Sequence, residues 1–354
     1  MAGARFSPSF AIDGRVVGAG HSCYVIAEAG ANHNRDLGIA RELIDVAADA
    51  GADAVKFQVY SGKSLYSSKT PRFRYLDGVS DEDTQQILED AALPREWLPK
   101  LAEHCAARDI TFFATPFDAA AVQELADVGV PAFKIASFEL VDVELIKATA
   151  SQGRPLILST GMATYGEVED ALDAAAAGGA TDVALLRCAS LYPAPAEIMN
   201  LNAMGTMRQA FGVPVGLSDH TEGIAVPIGA AALGMELLEK HFTIDRSMPG
   251  PDHPFAIEPD ELRALVRGVR DVEAALGHGR LEGPSDAEAQ EMYTLARRSI
   301  VAAAEIPEGT TIAREHLTVK RPGFGIAPKH MPLVVGRIAR VDIGEDDIVT
   351  WDMV

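Results

Sequence analysis

Residues 216–243 read GLSDHTEGIAVPIGAAALGMELLEKHFT, and two short apolar runs in this region end on histidine, His220 and His241. The runs themselves, VPVGLS (213–218) and ELLEKHFT (236–243), are otherwise built for burial, and an alanine-rich helical pattern separates them. A strand, a helix and a second strand in that order imply parallel pairing. The imidazoles then sit where two neighbouring strands stop.

The same signature recurs upstream. CYVIAEAG (23–30), AVKFQVY (54–60), TFFATPF (111–117), AFKIASF (132–138), LILST (156–160) and ALLRCAS (184–190) are further short apolar runs. Helical patterns such as LGIARELIDVAADAG, GEVEDALDAAAAGG and PDELRALVRGVRDVEAAL lie between or after them. Eight such units in about 250 residues predict an α/β fold closed as a (β/α)8 TIM barrel over residues 1–277. An open doubly wound sheet is the alternative. It would carry a glycine-rich phosphate turn after its first strand, and EAGANHNRD has no GxGxxG.

In parallel barrels the chemistry sits at the C-terminal strand ends, and nearly every run here turns polar near its end. Glu28 closes the first, Lys56 and Gln58 the second, and Thr115 the third. Lys134, Ser137 and Glu139 lie on or just past the fourth, Ser159 and Thr160 end the fifth, and Ser190 and Tyr192 follow the sixth. Any one of them alone reads equally well as a hydrogen-bonded core group. Together, at one rim, they point to a site. Buried lysines are costly unless something anionic faces them, so Lys56 and Lys134 imply a negatively charged ligand. Strands seven and eight adjoin in a closed barrel, so His220 and His241 converge. They form a divalent metal site acting as a Lewis acid, a general acid/base pair, or two hydrogen-bonded structural rings. Imidazole suits zinc, iron or nickel, whereas water and substrate oxygens in the remaining positions suit manganese or magnesium.

Composition narrows the partners. The chain has 354 residues, 48% hydrophobic and 23% charged, with a formal charge of -20. Such a surface repels phosphate backbones and anionic lipid, so nucleic acid and membranes are not expected partners, and an anionic ligand needs a local basic pocket. Three cysteines, Cys23, Cys105 and Cys188, are odd in number and far apart, which fits a reducing compartment rather than a disulfide framework. MAGARFSPSFAIDGR lacks the apolar core of a signal peptide, and no run approaches the roughly 20 apolar residues of a membrane span. A cytoplasmic location is expected. After the barrel, HGRLEGPSDAEAQEMYT (278–294) reads as a polar linker, and 295–354 as a small unit of short, turn-bounded strands carrying Arg297, Arg298 and Arg321. About 60 residues is little for an independent core, so this unit is expected to dock on something.

The motifs IAEAGANHN, AVKFQ, ATPFD, FKIAS, LSTGMAT, YPAP, GLSDHT, EKHFT, PGPDH, RRSIVA and LTVKRPG, in that order from about residue 16 to the end, resemble the sialic acid (nonulosonate) synthases. The resemblance implies a TIM barrel followed by a small, mostly-β antifreeze-like (SAF, β-clip) domain. It implies condensation of phosphoenolpyruvate with an open-chain N-acyl mannosamine-type sugar, giving a nine-carbon 2-keto acid and phosphate. By this likeness Lys56 meets the carboxylate of phosphoenolpyruvate, while Thr115, Lys134, Ser137, Ser159, Ser190 and Ser218 surround it and its phosphate. His220 and His241 hold a divalent metal, manganese first with magnesium or cobalt as alternatives. Glu139 handles the proton of the attacking water and Glu28 orients the sugar's reacting end. Gln58, Tyr192 and Asp252 bind the sugar, and Arg321 reaches the partner's barrel in a domain-exchanged homodimer. A multiply anionic substrate gains about 4 kcal/mol of screened attraction from each lysine at about 4 Å.

Ser190, in CASLYP, stands where some members of that family carry asparagine, which removes an amide beside the substrate. FELVD and GIAVP lean towards pseudaminate synthases, which use a 2,4-diacetamido-trideoxyhexose, whereas MPGPDH and LTVKRPG lean towards the sialate and legionaminate group. Two other readings compete. A Schiff-base aldolase would use Lys134 as its nucleophile, and a non-catalytic sugar-binding protein would need none of the rim charges.

Overall fold

A hairpin of β1 (Ser9–Ile12) and β2 (Arg15–Gly18) precedes the eight apolar runs, which form β3 (Tyr24–Gly30), β4 (Ala54–Val59), β5 (Thr111–Pro116), β6 (Phe133–Ile135), β7 (Leu156–Ser159), β8 (Val183–Cys188), β9 (Val215–Asp219) and β10 (Leu237–His241). The computed structural model describes residues 5–71 and 83–354. The ladder runs β5-β4-β3-β10-β9-β8-β7-β6 in one parallel sheet. Its two ends, β5 and β6, lie side by side, which rolls the sheet into a nearly closed barrel. The expected (β/α)8 architecture is therefore present.

Helices return the chain after each strand because their sequences are amphipathic and their starts are capped. In Leu37–Asp49 the buried positions Ala40, Leu43, Ile44 and Ala47 recur at three and four, and the Asp36 side chain accepts from the Gly38 and Ile39 amides. Tyr165–Ala177 begins with a reciprocal capping box between Thr164 and Glu167, and Pro259–Leu276 begins with proline in its first turn. The core behind them is the outer face of the strands: Val25, Ala27, Val55, Phe57, Leu185 and Leu217 are fully buried against the helices. Each such large aliphatic or aromatic side chain contributes about 1.5–3 kcal/mol of burial.

The hairpin escapes the reading by apolar runs, although Asp13-Gly14 is a two-residue turn signal and both residues take positive φ, 48° and 78°. It covers the N-terminal end of the barrel. Ile12 and Val17 are fully buried, Arg15 pairs with Asp53 at the start of β4, and Thr111 Oγ1 donates to Asp13 Oδ2 at 3.1 Å. That leaves the C-terminal end as the mouth.

The chain divides into two compact units, Met1–Gly277 and His278–Val354. The second unit pairs β11 (Ser299–Ala302) antiparallel with β12 (Leu317–Lys320), with further bridges such as Val301 to Ile348 and Ile306 to Ile343. Ile300, Ile306, Ile312, Leu317, Ile326, Val334 and Val349 form its own small core. The polar stretch 278–294 holds a short helix, Asp286–Gln290, started by a capping box between Ser285 and Glu288, and the beginning of a second, Met292–Leu295. Among the described residues no helix is long and apolar enough to cross a membrane.

Candidate active site

Side chains alternate across a strand, so residues two apart on β3, β4 and β10 share a face. Glu28, then Lys56 with Gln58, then Glu239 with His241 turn into the barrel at its mouth, and they meet there. Lys56 Nζ lies 2.9 Å from Glu28 Oε2 and 3.7 Å from Glu239 Oε2, and donates to Thr115 Oγ1 at 2.8 Å. Lys134 Nζ, from β6, lies 3.5 Å from Glu239 Oε1 and donates to the Ile135 carbonyl at 3.2 Å. Gln58 Nε2 donates to Glu28 Oε1 at 2.7 Å, and Ser218 Oγ donates to Glu239 Oε1 at 3.1 Å. Burial by itself depresses a lysine, but Glu239 and Glu28 outweigh it and hold Lys56 above its usual range. At Lys134 burial wins, with the Lys56 charge adding to it, and the ammonium is pushed down. Glu28 is pushed up by burial. Glu239, between two ammonium groups, is held down despite its burial.

The sequence-derived expectation that the two lysines await an anion is thus only half of the arrangement. Their charges are already met by Glu28 and by Glu239, a residue the sequence reading did not single out. Glu239 stands inside a run of three polar residues, Glu239-Lys240-His241, and the two-residue period is the signal that assigns it to the inner face. Lys240, facing the other way, pairs at 2.7 Å with buried Asp219 and also donates to the Thr221 carbonyl.

Next to the lysines lies a cradle of hydroxyls. Ser137 Oγ accepts from the Gly161 amide at 3.0 Å, and a Cβ placed on Gly161 would come within 2.2 Å of Ser190 Oγ and 2.8 Å of Ser137 Oγ. Only glycine leaves that space open. Ser159 Oγ and Ser190 Oγ are buried without a hydrogen-bond partner among the described residues. Glu139, in the single 3-10 turn Ser137–Glu139 after β6, has Oε2 buried and unpartnered among the described residues. Burial pushes its carboxyl up to about 7, against the opposing pull of Lys134, and the same carboxyl, after burial, raises Tyr66.

The histidine rings converge as expected, with centroids 5.3 Å apart. His220 Nδ1 lies 2.9 Å from the Ala189 carbonyl, which can only accept; this bond puts a proton on Nδ1 and leaves Nε2 as the lone-pair donor of the neutral ring. Burial opposes charge on His220, but Cys188, 3.7 Å from Nδ1, and the Ala189 carbonyl raise it. His241 is held well below its ordinary value by burial and then by His220 and nearby lysines, so it is neutral, and its Nδ1 is buried without a hydrogen bond. Two convergent imidazoles, one with its tautomer fixed by a carbonyl and one with an orphaned nitrogen, fit a divalent cation that keeps positions open for ligand. Among the described residues no group of three or more histidine, cysteine, aspartate or glutamate side chains is placed to hold a metal ion, so such a cation would rest on the two imidazoles.

Tyr192 packs its ring against that of His220, with centroids 4.3 Å apart and the planes tilted by 43°. Asp252 Oδ2 lies 3.7 Å from His241 Nδ1 and accepts from the Ala31 amide at 3.2 Å. Gly30, at φ 51°, makes room for it, since a Cβ there would come within 2.6 Å of Asp252 Oδ2. The structure therefore brings together at one mouth Glu28, Lys56, Gln58, Thr115, Lys134 and Ser218 through direct contacts, and Tyr192, His220, His241 and Asp252 through another set. Arg321 belongs to the second unit, where it is exposed and precedes a cis proline, Pro322.

A family model described as the NeuB family matches residues 43–281, and one described as the SAF domain matches residues 297–354. The chain is 39% identical over 329 residues to the N,N'-diacetyllegionaminic acid synthase of Campylobacter jejuni, covering 92% of this chain and 98% of that one. It is 34% identical over 318 residues to the pseudaminic acid synthase of Helicobacter pylori, covering 89% and 93%. Among solved structures, the N-acetylneuraminic acid (sialic acid) synthetase of Leptospira borgpetersenii, in complex with citrate, aligns with a TM-score of 0.72 at 35% identity, covering 81% of this chain and 95% of that one.

Proposed function

Because the chain belongs to the NeuB family, we propose that its barrel mouth condenses phosphoenolpyruvate with an open-chain N-acyl mannosamine-type sugar to give a nine-carbon 2-keto acid and phosphate. One observation carries the reading: a buried, lysine-lined hydroxyl cradle and two convergent imidazoles occupy one strand-end rim. Lys134, Ser137, Ser159 and Ser190 supply donors for phosphate oxygens, and Lys56 with Thr115 and Ser218 supplies the carboxylate end. His220 and His241 would hold a divalent cation, manganese by preference, which supplies Lewis-acid polarisation of the sugar's aldehyde oxygen.

In the reaction proposed, C3 of the enol bonds to the aldehyde carbon while the aldehyde oxygen takes up a proton. Water bonds to C2 and gives up a proton; the C2–O bond of the phosphate ester then breaks with its electron pair going to the phosphate, which leaves as inorganic phosphate, and the new hydroxyl loses its remaining proton to leave a ketone. Glu139 is the group for the proton of that water. Its carboxyl, poised near 7, can both accept and return a proton at neutral pH. Glu28, held by Lys56 and Gln58, orients the sugar's reacting end, and Gln58, Tyr192 and Asp252 bind its hydroxyl and acyl groups. Arg321 completes the site from a second copy in a domain-exchanged homodimer. Exposed apolar side chains on the loops after β6, β7 and β8, namely Phe138, Val141, Met162 and Leu191, support a covered mouth.

Phosphate release from phosphoenolpyruvate and manganese, measured against N-acetylmannosamine and 2,4-diacetamido-trideoxyhexoses, tests the reading. Aldose-dependent release by enzyme treated beforehand with borohydride and pyruvate, then freed of both, is expected. Release without aldose, or inactivation by that treatment, overturns it in favour of hydrolysis or a Lys134 Schiff base.

A further inference from the structure

We propose that His253 is a positioning residue for the sugar end of the site, a latch that fixes the loop after β10 so that the Asp252 carboxylate stays against His241. The inference rests on Asp252 as a sugar-binding group. Among the described residues the carboxylate itself is held only by the Ala31 amide at 3.2 Å and by its approach to His241 at 3.7 Å. Neither contact anchors the backbone that carries it.

The next residue does. His253 is fully buried and engaged at both ring nitrogens: Nδ1 lies 2.6 Å from Thr243 Oγ1, and Nε2 lies 3.1 Å from Asn34 Oδ1. A carbonyl oxygen only accepts, so Nε2–H donates to Asn34 and Nδ1, the nearer acceptor, shares the Thr243 hydroxyl proton with the Asp245 carbonyl at 3.2 Å. That assignment matches a neutral ring, and burial pushes His253 down to about 4. Thr243 Oγ1 also accepts from the Asp245 amide at 3.2 Å, which ties in the start of the same loop. Gly250, at φ 150°, closes the other side, because a Cβ there would come within 2.7 Å of His253 Cδ2. The ring thus joins the end of β10, the loop after β3 and the Asp252 loop. Asn34 holds its side of the latch in a left-handed conformation, φ 47°, that asparagine tolerates.

Emptying the His253 site would leave a cavity, so the test removes its partners instead. Thr243→Val deletes the hydroxyl's bonds to His253 and to the Asp245 backbone but keeps the side-chain shape, whereas Asn34→Gly deletes only the bond to His253 and keeps the backbone conformation. Each is expected to raise KM for the aldose about tenfold with KM for phosphoenolpyruvate and Tm little changed, while Thr243→Ser and Asn34→Asp restore it. On an Asp252→Ala background Thr243→Val should add nothing further. Equal movement of both KM values, or full additivity with Asp252→Ala, overturns the latch. Amide exchange at Ala31 is the readout independent of turnover: faster exchange in both variants is expected, and unchanged exchange refutes the latch even if phosphoenolpyruvate proves not to be the substrate.

Discussion

Replacing Glu139 by glutamine keeps the shape of the side chain and removes only its ability to hold a negative charge. The carboxyl is raised from 4.5 to about 7 because it is buried, with Oε2 unpartnered and the Lys134 ammonium only partly compensating. A rise of that size disfavours the ionised form by roughly 3 kcal/mol. A base must be ionised to act, so kcat/KM for phosphoenolpyruvate is expected to rise with pH through about 7 and then level, giving an acidic limb centred near 7. In Glu139→Gln this limb should vanish and turnover should fall by about 10²- to 10⁴-fold, with phosphoenolpyruvate still binding. Stability carries an independent signature. Below the ordinary carboxylate range both folded and unfolded chains hold the proton; between 4.5 and about 7 only the folded chain keeps it. The folded state therefore loses up to roughly 3 kcal/mol of relative stability as pH rises through that window, and Glu139→Gln should flatten the slope. Stopped assays of phosphate release and denaturant titrations at several pH values measure the two effects. Near-normal turnover in Glu139→Gln, or an acidic limb unmoved by it, refutes the assignment.

Glu239→Gln leaves the Ser218 hydrogen bond possible but takes one negative charge from between two lysines, at 3.5 and 3.7 Å. The variant should lose about 3 kcal/mol of stability, and should bind inorganic phosphate about tenfold more tightly by calorimetry; unchanged affinity would show that this charge does not reach the anion site. His220→Ala and His241→Ala should each bring bound manganese below one per chain and lower turnover by about 10³-fold, with full metal content and activity in either one counting against the pair as ligands. Arg321→Ala should raise KM for the aldose far more than KM for phosphoenolpyruvate. Equal effects, or a monomeric enzyme of full activity in sedimentation, would remove the two-chain site.

Which features were legible depended on whether a periodicity in the sequence was enough to place them. The barrel was, because eight apolar runs alternating with capped amphipathic helices leave little else to build, and each run maps onto one strand. Rim residues such as Glu28, Lys56, Thr115 and His241 were, because a polar group at the end of a buried run has one place to face. Partners were not. That Lys56 meets Glu28 follows from a register between β3 and β4 that pairs those two residues, and the neighbourhood of β10 with β3 arises only on closure. Glu239 was overlooked for the same reason: its contacts come from three other strands. His253 and Asn34 are 219 residues apart, and no local pattern announces a hydrogen bond across that distance. The hairpin β1 and β2 was missed for a simpler cause, since its four-residue strands are too short to show a period, although Asp13-Gly14 marks the turn.

A buried quartet of two ammonium and two carboxylate groups is a poor way to stabilise a barrel, because desolvating four charges costs about as much as their attraction returns. Its asymmetry is informative instead. Lys56 is held at three points, by Glu28 at 2.9 Å, Thr115 at 2.8 Å and Glu239 at 3.7 Å. Among the described residues Lys134 has only the Ile135 carbonyl at 3.2 Å and Glu239 at 3.5 Å, and burial already pulls it down. An arriving anion therefore gains most at Lys134, which has donors to spare and a charge that a second negative group would stabilise. Lys56, held more closely by protein, acts more as a fixed positive wall. Under the proposed reaction this places the phosphate, which must later leave, against the looser ammonium and next to the open cradle at Gly161, while the part of the substrate that remains in the product lies against the rigid one.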